Sequence, residues 1–329
     1  MKRFTLDYYL DGLRSKDTVV LARAITLVES SRSTDQYLAD QLLNEIINNN
    51  AQSIRIGITG TPGVGKSSFI EGFGSFLIQQ HKRVAVLAID PTSQRTGGSI
   101  LGDKTRMETL SKNPQAYIRP SSSGSTLGGV NNRTHEAILL CEAAGFDVVI
   151  VETVGVGQSE TLVNSMVDFF LLMIQPGSGD DLQGIKKGIM EMAHGIVINK
   201  ADGDQAKLAK RSKSDLLNAL HLFAASDTGW NTRVELCSAL EKMGFAEVWE
   251  MISEFRQQMF ENGLFLQNRI DQNLSWFENR VNFGLMMQLT SDDRLSEVIE
   301  KTRGKVKSGE LSVSMATTEV LDMVRQLLS

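Results

Sequence analysis

Residues 54–68 of the chain read IRIGITGTPGVGKSS, an apolar run followed by a glycine-rich loop that ends in Lys-Ser-Ser. The loop matches the pattern GxxxxGKS, whose glycines allow backbone N–H groups to converge on phosphate oxygens. A glycine-rich turn that matches by accident is the alternative, but the predicted strand before the loop and the predicted helix after it argue against this. We therefore predict a triphosphate-binding loop made of Gly60, Thr61, Pro62, Gly63, Val64, Gly65, Lys66, Ser67 and Ser68.

Short apolar runs recur through the middle of the chain and predict strands that are buried on both faces. They cover residues 54–59, 84–89, 147–151, 169–174, 195–198 and 232–236. Segments long enough for helices lie between most of these runs, so we expect an α/β fold of the P-loop NTPase type with a mainly parallel sheet. Before the first run the pattern is helical, because Val20, Ala24, Leu27 and Val28 fall on one helical face.

After Leu240 the strand pattern stops and a long amphipathic helix is predicted. Its apolar stripe, spaced by three or four residues, consists of Ile270, Leu274, Phe277, Val281, Leu285 and Leu289. A second helix is predicted from about Ser314 to Leu328. We expect an N-terminal helical extension (1–50), a P-loop domain (51–265) and a C-terminal helical extension (266–329). The stripe predicts that this last region forms a homodimer, and packing on the chain's own sheet is the alternative.

A second motif follows the fifth apolar run, where residues 199–202 read NKAD. The carboxylate of Asp202 can accept both N1–H and the 2-amino group of guanine, whereas adenine would leave it unpaired. Lys200 would lie along the base, and Asn199 would hold this loop against the phosphate loop. A helix start capped by Asp202 is the alternative when the tetrapeptide is taken alone. A further guanine contact is predicted from the backbone of Ser238, Ala239 and Leu240.

Oxygen-bearing residues near the strand ends are candidates for a Mg²⁺ site. Ser67 offers a hydroxyl, Glu152 and Asp90 come directly after predicted strands, and Asp103 lies in a glycine-rich segment. Because Mg²⁺ keeps several waters, these acids are more than direct coordination requires, and which of them touch the ion is left open. A solvated loop acid is the alternative for Asp103.

The hydrolytic machinery lacks one familiar part. In small signalling GTPases a glutamine follows the glycine that Gly155 resembles and orients the attacking water. Here Val156 occupies that place and Gln158 comes two positions later. We therefore expect weak intrinsic hydrolysis, with Lys66, Asp103, Glu152 and Gln158 as the catalytic candidates. His135 and His194 are interpreted as helix-surface residues rather than bases.

Composition excludes several classes of partner. The net charge of −5 leaves no excess of positive charge for nucleic acid or anionic lipid. The apolar runs are far shorter than a membrane-spanning helix, and the first residues lack a signal-peptide pattern. Cys141 and Cys237 form no metal or disulfide motif, which favours a cytoplasmic protein.

Together these motifs resemble the MeaB/ArgK family, bacterial relatives of the human methylmalonic aciduria type A protein. The likeness is carried by GTPGVGKSS (60–68), AIDPTS (88–93), GGSILGDKTRM (97–107), ETVGVGQSE (152–160), QPGSGDDLQGIKKGIMEMA (175–193) and NKAD (199–202), and it extends over nearly the whole chain. It implies a GTP-hydrolysing chaperone, with Mg²⁺ and bound GTP or GDP, that serves an adenosylcobalamin-dependent acyl-CoA mutase of the methylmalonyl-CoA mutase type. Such a chaperone gates cofactor delivery and protects or reactivates the mutase.

The resemblance also implies that the segment 175–193 is an additional switch toward the mutase. Its candidate residues are Asp180, Asp181, Gln183, Lys186, Lys187 and Glu191. A loop followed by a solvated helix is the alternative for this segment. Two other functions stay open: a P-loop kinase that acts on amino-acid transport binding proteins, although no HRD or DFG element is present, and a GTP-dependent interaction module with negligible turnover.

Overall fold

The computed structural model describes residues 4–30, 32–47, 52–90, 107–122, 127–153, 159–177, 187–221 and 228–328. The strands are β1 (Ile54–Gly60), β2 (Val84–Asp90), β3 (Ala116–Ser122), β4 (Val148–Thr153), β5 (Phe169–Ile174), β6 (Gly195–Ile198) and β7 (Arg233–Leu236). They form one sheet in the order β3-β2-β4-β1-β5-β6-β7, with every pairing parallel. The central strand, β1, therefore delivers the glycine-rich loop to the middle of the sheet's carboxyl edge.

Helices flank this sheet, and further helices follow its last strand along the chain. They are α1 (Leu6–Arg14), α2 (Thr18–Val28), α3 (Ser33–Ile46), α4 (Lys66–Gln79), α5 (Glu108–Ser111), α6 (Leu127–Ala143), α7 (Ser159–Asn164), α8 (Lys187–Met192), α9 (Ala206–Leu220), α10 (Phe245–Glu261), α11 (Leu264–Thr290), α12 (Asp293–Ser308) and α13 (Val313–Leu328). The predicted α/β fold with helices at both ends of the chain is confirmed. Within the described ranges, no helix combines the length and apolarity needed to cross a membrane.

Strand residues alternate between two hydrophobic cores, one on each face of the sheet. Phe170 and Leu172 belong to the core that also contains residues of α1, α2, α3 and α6. Phe169 and Leu171 belong to the core that also contains residues of α4 and α10. Because both faces are covered, neither set of alternating side chains has to be polar, and the strands read as unbroken apolar runs.

One strand was not predicted. β3 carries Arg119 and Pro120 and therefore does not form an apolar run. It lies at the edge of the sheet and pairs only with β2. An edge position tolerates proline, because one side of the strand needs no hydrogen bonds from a sheet partner. The sheet thus has seven strands rather than the six expected.

The chain divides into two compact units, Met1–Gln272 and Asn273–Ser329. In the second unit α12 packs on α13, and Leu295, Thr302 and Ala316 are buried. The predicted stripe residues of this unit are exposed apart from half-buried Leu289; Phe277, for example, is 63% exposed. Ile270, in the first unit, is also exposed. The three-part division by residue number and the homodimer stay predictions.

Candidate nucleotide-binding site

The glycine-rich loop leaves β1 and enters α4 through a backbone that only glycine accommodates at two points. Gly65 has a φ of 94°, and a Cβ atom there would lie 2.7 Å from Nδ2 of Asn199. At Gly60 a Cβ atom would lie 2.4 Å from the carbonyl oxygen of Met173 on β5. Neither contact leaves room for a side chain. The glycines of the motif therefore allow the loop to fold closely against its neighbouring strands.

Lys66, the first residue of α4, folds back over this loop. Its Nζ donates to the carbonyl oxygen of Gly60 at 2.7 Å and lies 3.5 Å from that of Thr61. The side chain is only 9% exposed. Burial lowers its pKa, and the carboxylates of Glu152 and Glu160 oppose this shift. A phosphate would offer this ammonium group stronger acceptors than two neutral carbonyls.

The next residue begins an oxygen-lined patch suited to a hard cation. Ser67 Oγ donates to Glu152 Oε1 at 3.3 Å, and Glu152, in β4, is 5% exposed. A buried hydrogen bond from Thr153 Oγ1 to Thr59 Oγ1, 2.9 Å long, ties the same ends of β4 and β1 together. A hydroxyl and a carboxylate are donors that Mg²⁺ accepts, so these two residues fit the ion. Within the described ranges no three His, Cys, Asp or Glu residues cluster as a complete metal site.

The NKAD loop is joined to the phosphate loop by side chains. Asn199 Nδ2 donates to the carbonyl oxygen of Val64 at 2.8 Å, and Asn199 Oδ1 accepts from the backbone N–H of Ala239 at 3.1 Å. Lys200 Nζ donates to the carbonyl oxygen of Gly63 at 2.8 Å and to Gln175 Oε1 at 3.1 Å. One asparagine and one lysine therefore connect the loops that follow β1, β5, β6 and β7.

Asp202 does not cap a helix with its side chain. It precedes the 3-10 turn Gly203–Gln205, but its carboxylate makes no capping hydrogen bond there. Instead the hydroxyl of Ser238 donates to it. Ser238 also accepts from the backbone N–H of Glu241 at 3.0 Å. The geometry therefore does not support the capping alternative. The Asp202 carboxylate is held beside the loop that follows β7.

The remaining candidates fall in different places. Leu240 is 84% exposed, and Glu191 is exposed in α8. Asp90 ends β2 and Lys187 begins α8, and only their backbones are described. Six candidates lie outside the described residues: Asp103, Gln158, Asp180, Asp181, Gln183 and Lys186.

Two interpretations of histidine were wrong, and one acid was overlooked. His135 is 2% exposed, and burial lowers its pKa to about 3. Burial also lowers the pKa of His194 to about 4, and its Nδ1 accepts from the backbone N–H of Phe170 at 2.9 Å. Neither is a surface residue. The overlooked acid is Glu160, which is 2% exposed and whose charge opposes the lowering of the Lys66 pKa by burial. Its only sequence signal was its place at the end of ETVGVGQSE.

A parallel sheet whose central strand runs through a glycine-rich loop into a helix, with an NKAD loop tied to that loop, defines a P-loop GTPase. The family described as Methylmalonyl Co-A mutase-associated GTPase MeaB matches residues 21–294, and the chain belongs to this family.

Relatives of known name agree with this assignment. The chain is 44% identical over 321 residues to GTPase ArgK of Escherichia coli, covering 98% of this chain and 97% of that one. It is 41% identical to the mouse protein named Methylmalonic aciduria type A homolog, mitochondrial, over 96% of this chain and 79% of the relative. A solved structure described as LAO/AO transport system kinase superposes with a TM-score of 0.78 at 36% identity, covering 99% of each chain.

Proposed function

We propose that this GTPase serves an adenosylcobalamin-dependent acyl-CoA mutase of the methylmalonyl-CoA mutase type. The family description, which names an association with methylmalonyl Co-A mutase, carries the choice of partner. The name of the mouse relative, which refers to methylmalonic aciduria, supports the same choice. In this role the protein gates cofactor delivery and protects or reactivates the mutase. We place it in the cytoplasm, with no nucleic-acid or membrane partner.

The nucleotide is bound, in this proposal, along the carboxyl edge of the sheet. Residues 60–68 hold the phosphates, Lys66 supplies positive charge to the β and γ positions, and Asp202 selects guanine. Ser67 and Glu152 hold Mg²⁺, with Asp90 and Asp103 as further candidates. When bound, Mg²⁺ neutralises charge on the phosphate oxygens. Asn199 keeps the base loop in register with the phosphate loop through its contact with Val64.

The segment 175–193 is proposed to report nucleotide state to the mutase. Its first residue, Gln175, accepts a hydrogen bond from Lys200 of the base loop at 3.1 Å. Gly177 has a φ of 78°, and its N–H donates to Ser212 Oγ at 3.0 Å. The start of the segment is therefore linked to the base loop through Gln175 and to α9 through Gly177, so a movement of Lys200 would reach it directly.

Phosphate release with and without the mutase tests this function. Purified protein with Mg²⁺ is given GTP alone, GTP with methylmalonyl-CoA mutase, or GTP with an unrelated protein of similar size. We expect slow release alone and at least about a tenfold increase with the mutase only, because a partner must complete the site. An unchanged rate at saturating mutase would contradict the proposed partner.

A kinase that acts on amino-acid transport binding proteins is the second candidate, favoured by the description of the solved relative. The two candidates differ in the fate of the γ-phosphate. With γ-labelled nucleotide and a purified arginine-binding transport protein, a kinase transfers label to protein, whereas the proposed GTPase releases it as inorganic phosphate. Label on the transport protein at a stoichiometric level would favour the kinase.

We also propose that the exposed stripe of α11 forms a homodimer. Phe277 and Leu274, 63% and 56% exposed, are large apolar side chains whose burial against a partner would contribute about 1.5–3 kcal/mol each. Light scattering on the full-length chain should give a dimer mass, and Phe277→Glu should give a monomer. Glu278→Gln, at the neighbouring exposed position, is the matched control and should stay dimeric. A monomeric full-length chain at micromolar concentration would contradict the dimer.

A further inference from the structure

A cavity of about 400 Å³ lies at the amino edge of the sheet, opposite the edge that carries the glycine-rich loop. Asp168 and His194, the residues directly before β5 and β6, both line it. Small-molecule sites typically have volumes of about 300–1,000 Å³. Among the lining residues that the structure describes, none belongs to the proposed nucleotide or Mg²⁺ site. The cavity is therefore a separate candidate binding site.

One wall of this cavity is built from fixed aromatic rings. Trp230, Phe255 and Phe265 line it and are 8%, 3% and 3% exposed. The rings of Trp230 and Phe255 meet edge to face, with centroids 5.2 Å apart, and the ring of His194 lies 4.6 Å from that of Phe255. Trp230 Nε1 donates to the carbonyl oxygen of His194 at 2.8 Å, which holds the indole in place. Such a wall favours a flat aromatic group that extends the cluster of rings.

The charged residues that line the cavity are all acids. They are Asp168, Glu191 and Asp271, and no lysine or arginine is among the lining residues that the structure describes. Asp168 is paired with Arg269, whose Nη2 lies 2.6 Å from Asp168 Oδ2, so its charge is compensated. Burial lowers the pKa of His194 to about 4, so this ring adds no positive charge at neutral pH. The lining is therefore negative where it is exposed.

Asp271 is the acid best placed to bind a cation. It is exposed on α11, and its Oδ1 accepts from Gln267 Nε2 at 2.9 Å. An amide donor stabilises a carboxylate without cancelling its charge. The same cavity thus offers an aromatic wall and a carboxylate that attracts positive charge.

We propose that this cavity binds a small organic cation in which an aromatic ring is joined to an ammonium group. The ring packs against Trp230 and Phe255, and the ammonium group lies beside Asp271. A neutral analogue loses the attraction to the carboxylate, and an alkyl ammonium ion loses the contacts with the rings. Each half of the ligand therefore contributes to affinity, and the two contributions can be separated.

Titration with matched small molecules tests the chemistry of the site. Phenethylamine is the probe, phenethyl alcohol replaces its ammonium group by a hydroxyl, and butylamine keeps the charge without the ring. Binding to the full-length protein is followed by ligand-detected NMR in the absence of nucleotide. We expect phenethylamine to bind with a dissociation constant on the order of 1 mM, at least about tenfold tighter than either analogue. No binding of phenethylamine, or equal binding of the alcohol, would overturn the proposal.

Two variants of α11 test the location. Asp271→Asn keeps an oxygen for Gln267 and should weaken phenethylamine binding about fivefold without affecting phenethyl alcohol. Glu278→Gln removes an exposed acid of α11 that does not line the cavity and should leave both affinities unchanged. An equal effect of Asp271→Asn on both molecules would contradict the placing of the ammonium group.

Filling the cavity provides the second variant. Asn268 is exposed and lines the cavity, so Asn268→Trp should fold normally and abolish phenethylamine binding. Asn273→Trp places the same side chain at an exposed position that does not line the cavity and should bind phenethylamine like the wild type. Undiminished binding by Asn268→Trp would overturn the assignment to this cavity. Because the assay contains neither nucleotide nor mutase, its outcome is separate from that of the proposed function.

Discussion

Buried charged side chains lie at both edges of the sheet, but they are partnered in different ways. At the amino edge, where the strands begin, Arg55 Nε and Nη2 donate to the two oxygens of Glu142 at 2.8 Å each. There Arg269 Nε and Nη2 also donate to the two oxygens of Asp168 at 2.8 and 2.6 Å. At the carboxyl edge, Lys66 donates to backbone carbonyls instead.

The difference separates charges that hold the fold from charges that exchange partners. Burial, the largest single influence, would raise the pKa of Glu142, but Arg55, Arg269 and the Ser53 hydroxyl together outweigh it, and the pKa lies below its ordinary value. For Lys66 the outcome is reversed, because burial lowers the pKa even though two carboxylates oppose it. The charges at the amino edge are already paired with one another, whereas the carboxyl edge is arranged for a ligand to complete it.

Removal of the unpaired ammonium should affect activity far more than stability. We expect Lys66→Ala to lower the rate of GTP hydrolysis about a thousandfold or more, because positive charge next to the β and γ phosphates is lost. The thermal midpoint should stay within a few degrees, because Lys66 Nζ donates to backbone carbonyls and, among the described residues, forms no salt bridge with a carboxylate. Phosphate release and circular dichroism measure the two effects. Lys112 is an exposed lysine directly after α5, and the control variant Lys112→Ala should change neither the hydrolysis rate nor the thermal midpoint. Normal turnover by a folded Lys66→Ala variant would mean that the phosphate site is misassigned.

The reverse pattern is expected at the amino edge. Arg269→Met leaves Asp168 and Glu142 buried with one guanidinium fewer, which should lower the free energy of unfolding by about 3–5 kcal/mol. Under conditions where the variant is folded, nucleotide affinity should be unchanged. Chemical denaturation and nucleotide titration measure these quantities. Arg280→Met makes the same substitution at an exposed position of α11 and should lower the free energy of unfolding by less than about 0.5 kcal/mol. A similar loss in both variants would contradict the structural role of the amino-edge ion pairs.

The two edges also differ in how far the sequence predicts them. Phosphate and guanine chemistry require particular residue types at particular spacings, so Lys66, Asn199 and Asp202 could be proposed as site residues from short motifs. The amino-edge network could not, because Arg269 and Asp168 lie 101 positions apart and each alone reads as a surface charge. Only the order of the strands and the start of α11 bring them together. Arg55, inside an apolar strand, was the one visible signal.

The fold itself was predictable where burial is complete. Strands covered on both faces give apolar runs, and the run 169–174 matches β5 at both ends. The edge strand β3 was missed because it is covered less and contains Pro120. Glu160 was missed because a single acid after a loop has no spacing that distinguishes a buried site residue from a solvated one.

Acid titration should sharpen the contrast at the amino edge, where His194 precedes β6. Burial lowers its pKa from 6.5 to about 4, and nearby Asp168 opposes this only in part. Between these values the unfolded chain binds a proton that the folded chain does not, so stability falls as the pH falls, by about 3 kcal/mol for this group. Burial also lowers the pKa of His135, so its protonation changes stability in the same direction. Because His135 is present in both the wild type and a His194 variant, its contribution cancels when the two are compared.

The variant His194→Asn isolates this contribution. An asparagine Oδ1 can accept the hydrogen bond from Phe170 N–H without titrating in this range. We expect the stability advantage of the wild type over the variant to shrink by about 3 kcal/mol between pH 7 and pH 4. Chemical denaturation at several pH values measures this. His221→Asn, at an exposed position after α9, should leave the pH dependence unchanged, and parallel curves for wild type and His194→Asn would contradict the assigned pKa.

The smallest expected effect concerns base selection at the carboxyl edge. Asp202→Asn replaces one acceptor oxygen by an amide that cannot accept from guanine, which should weaken GTP binding by about 2 kcal/mol. Xanthosine triphosphate should recover part of this loss, because xanthine presents a carbonyl where guanine has its amino group. The fold should persist, since the asparagine oxygen can still accept from the Ser238 hydroxyl. Asp204→Asn, an exposed acid two residues further on, is the matched control and should bind GTP normally. Competition titrations with GTP, ATP and xanthosine triphosphate measure all three affinities, and equal affinity of the unmutated protein for GTP and ATP would refute guanine selection by Asp202.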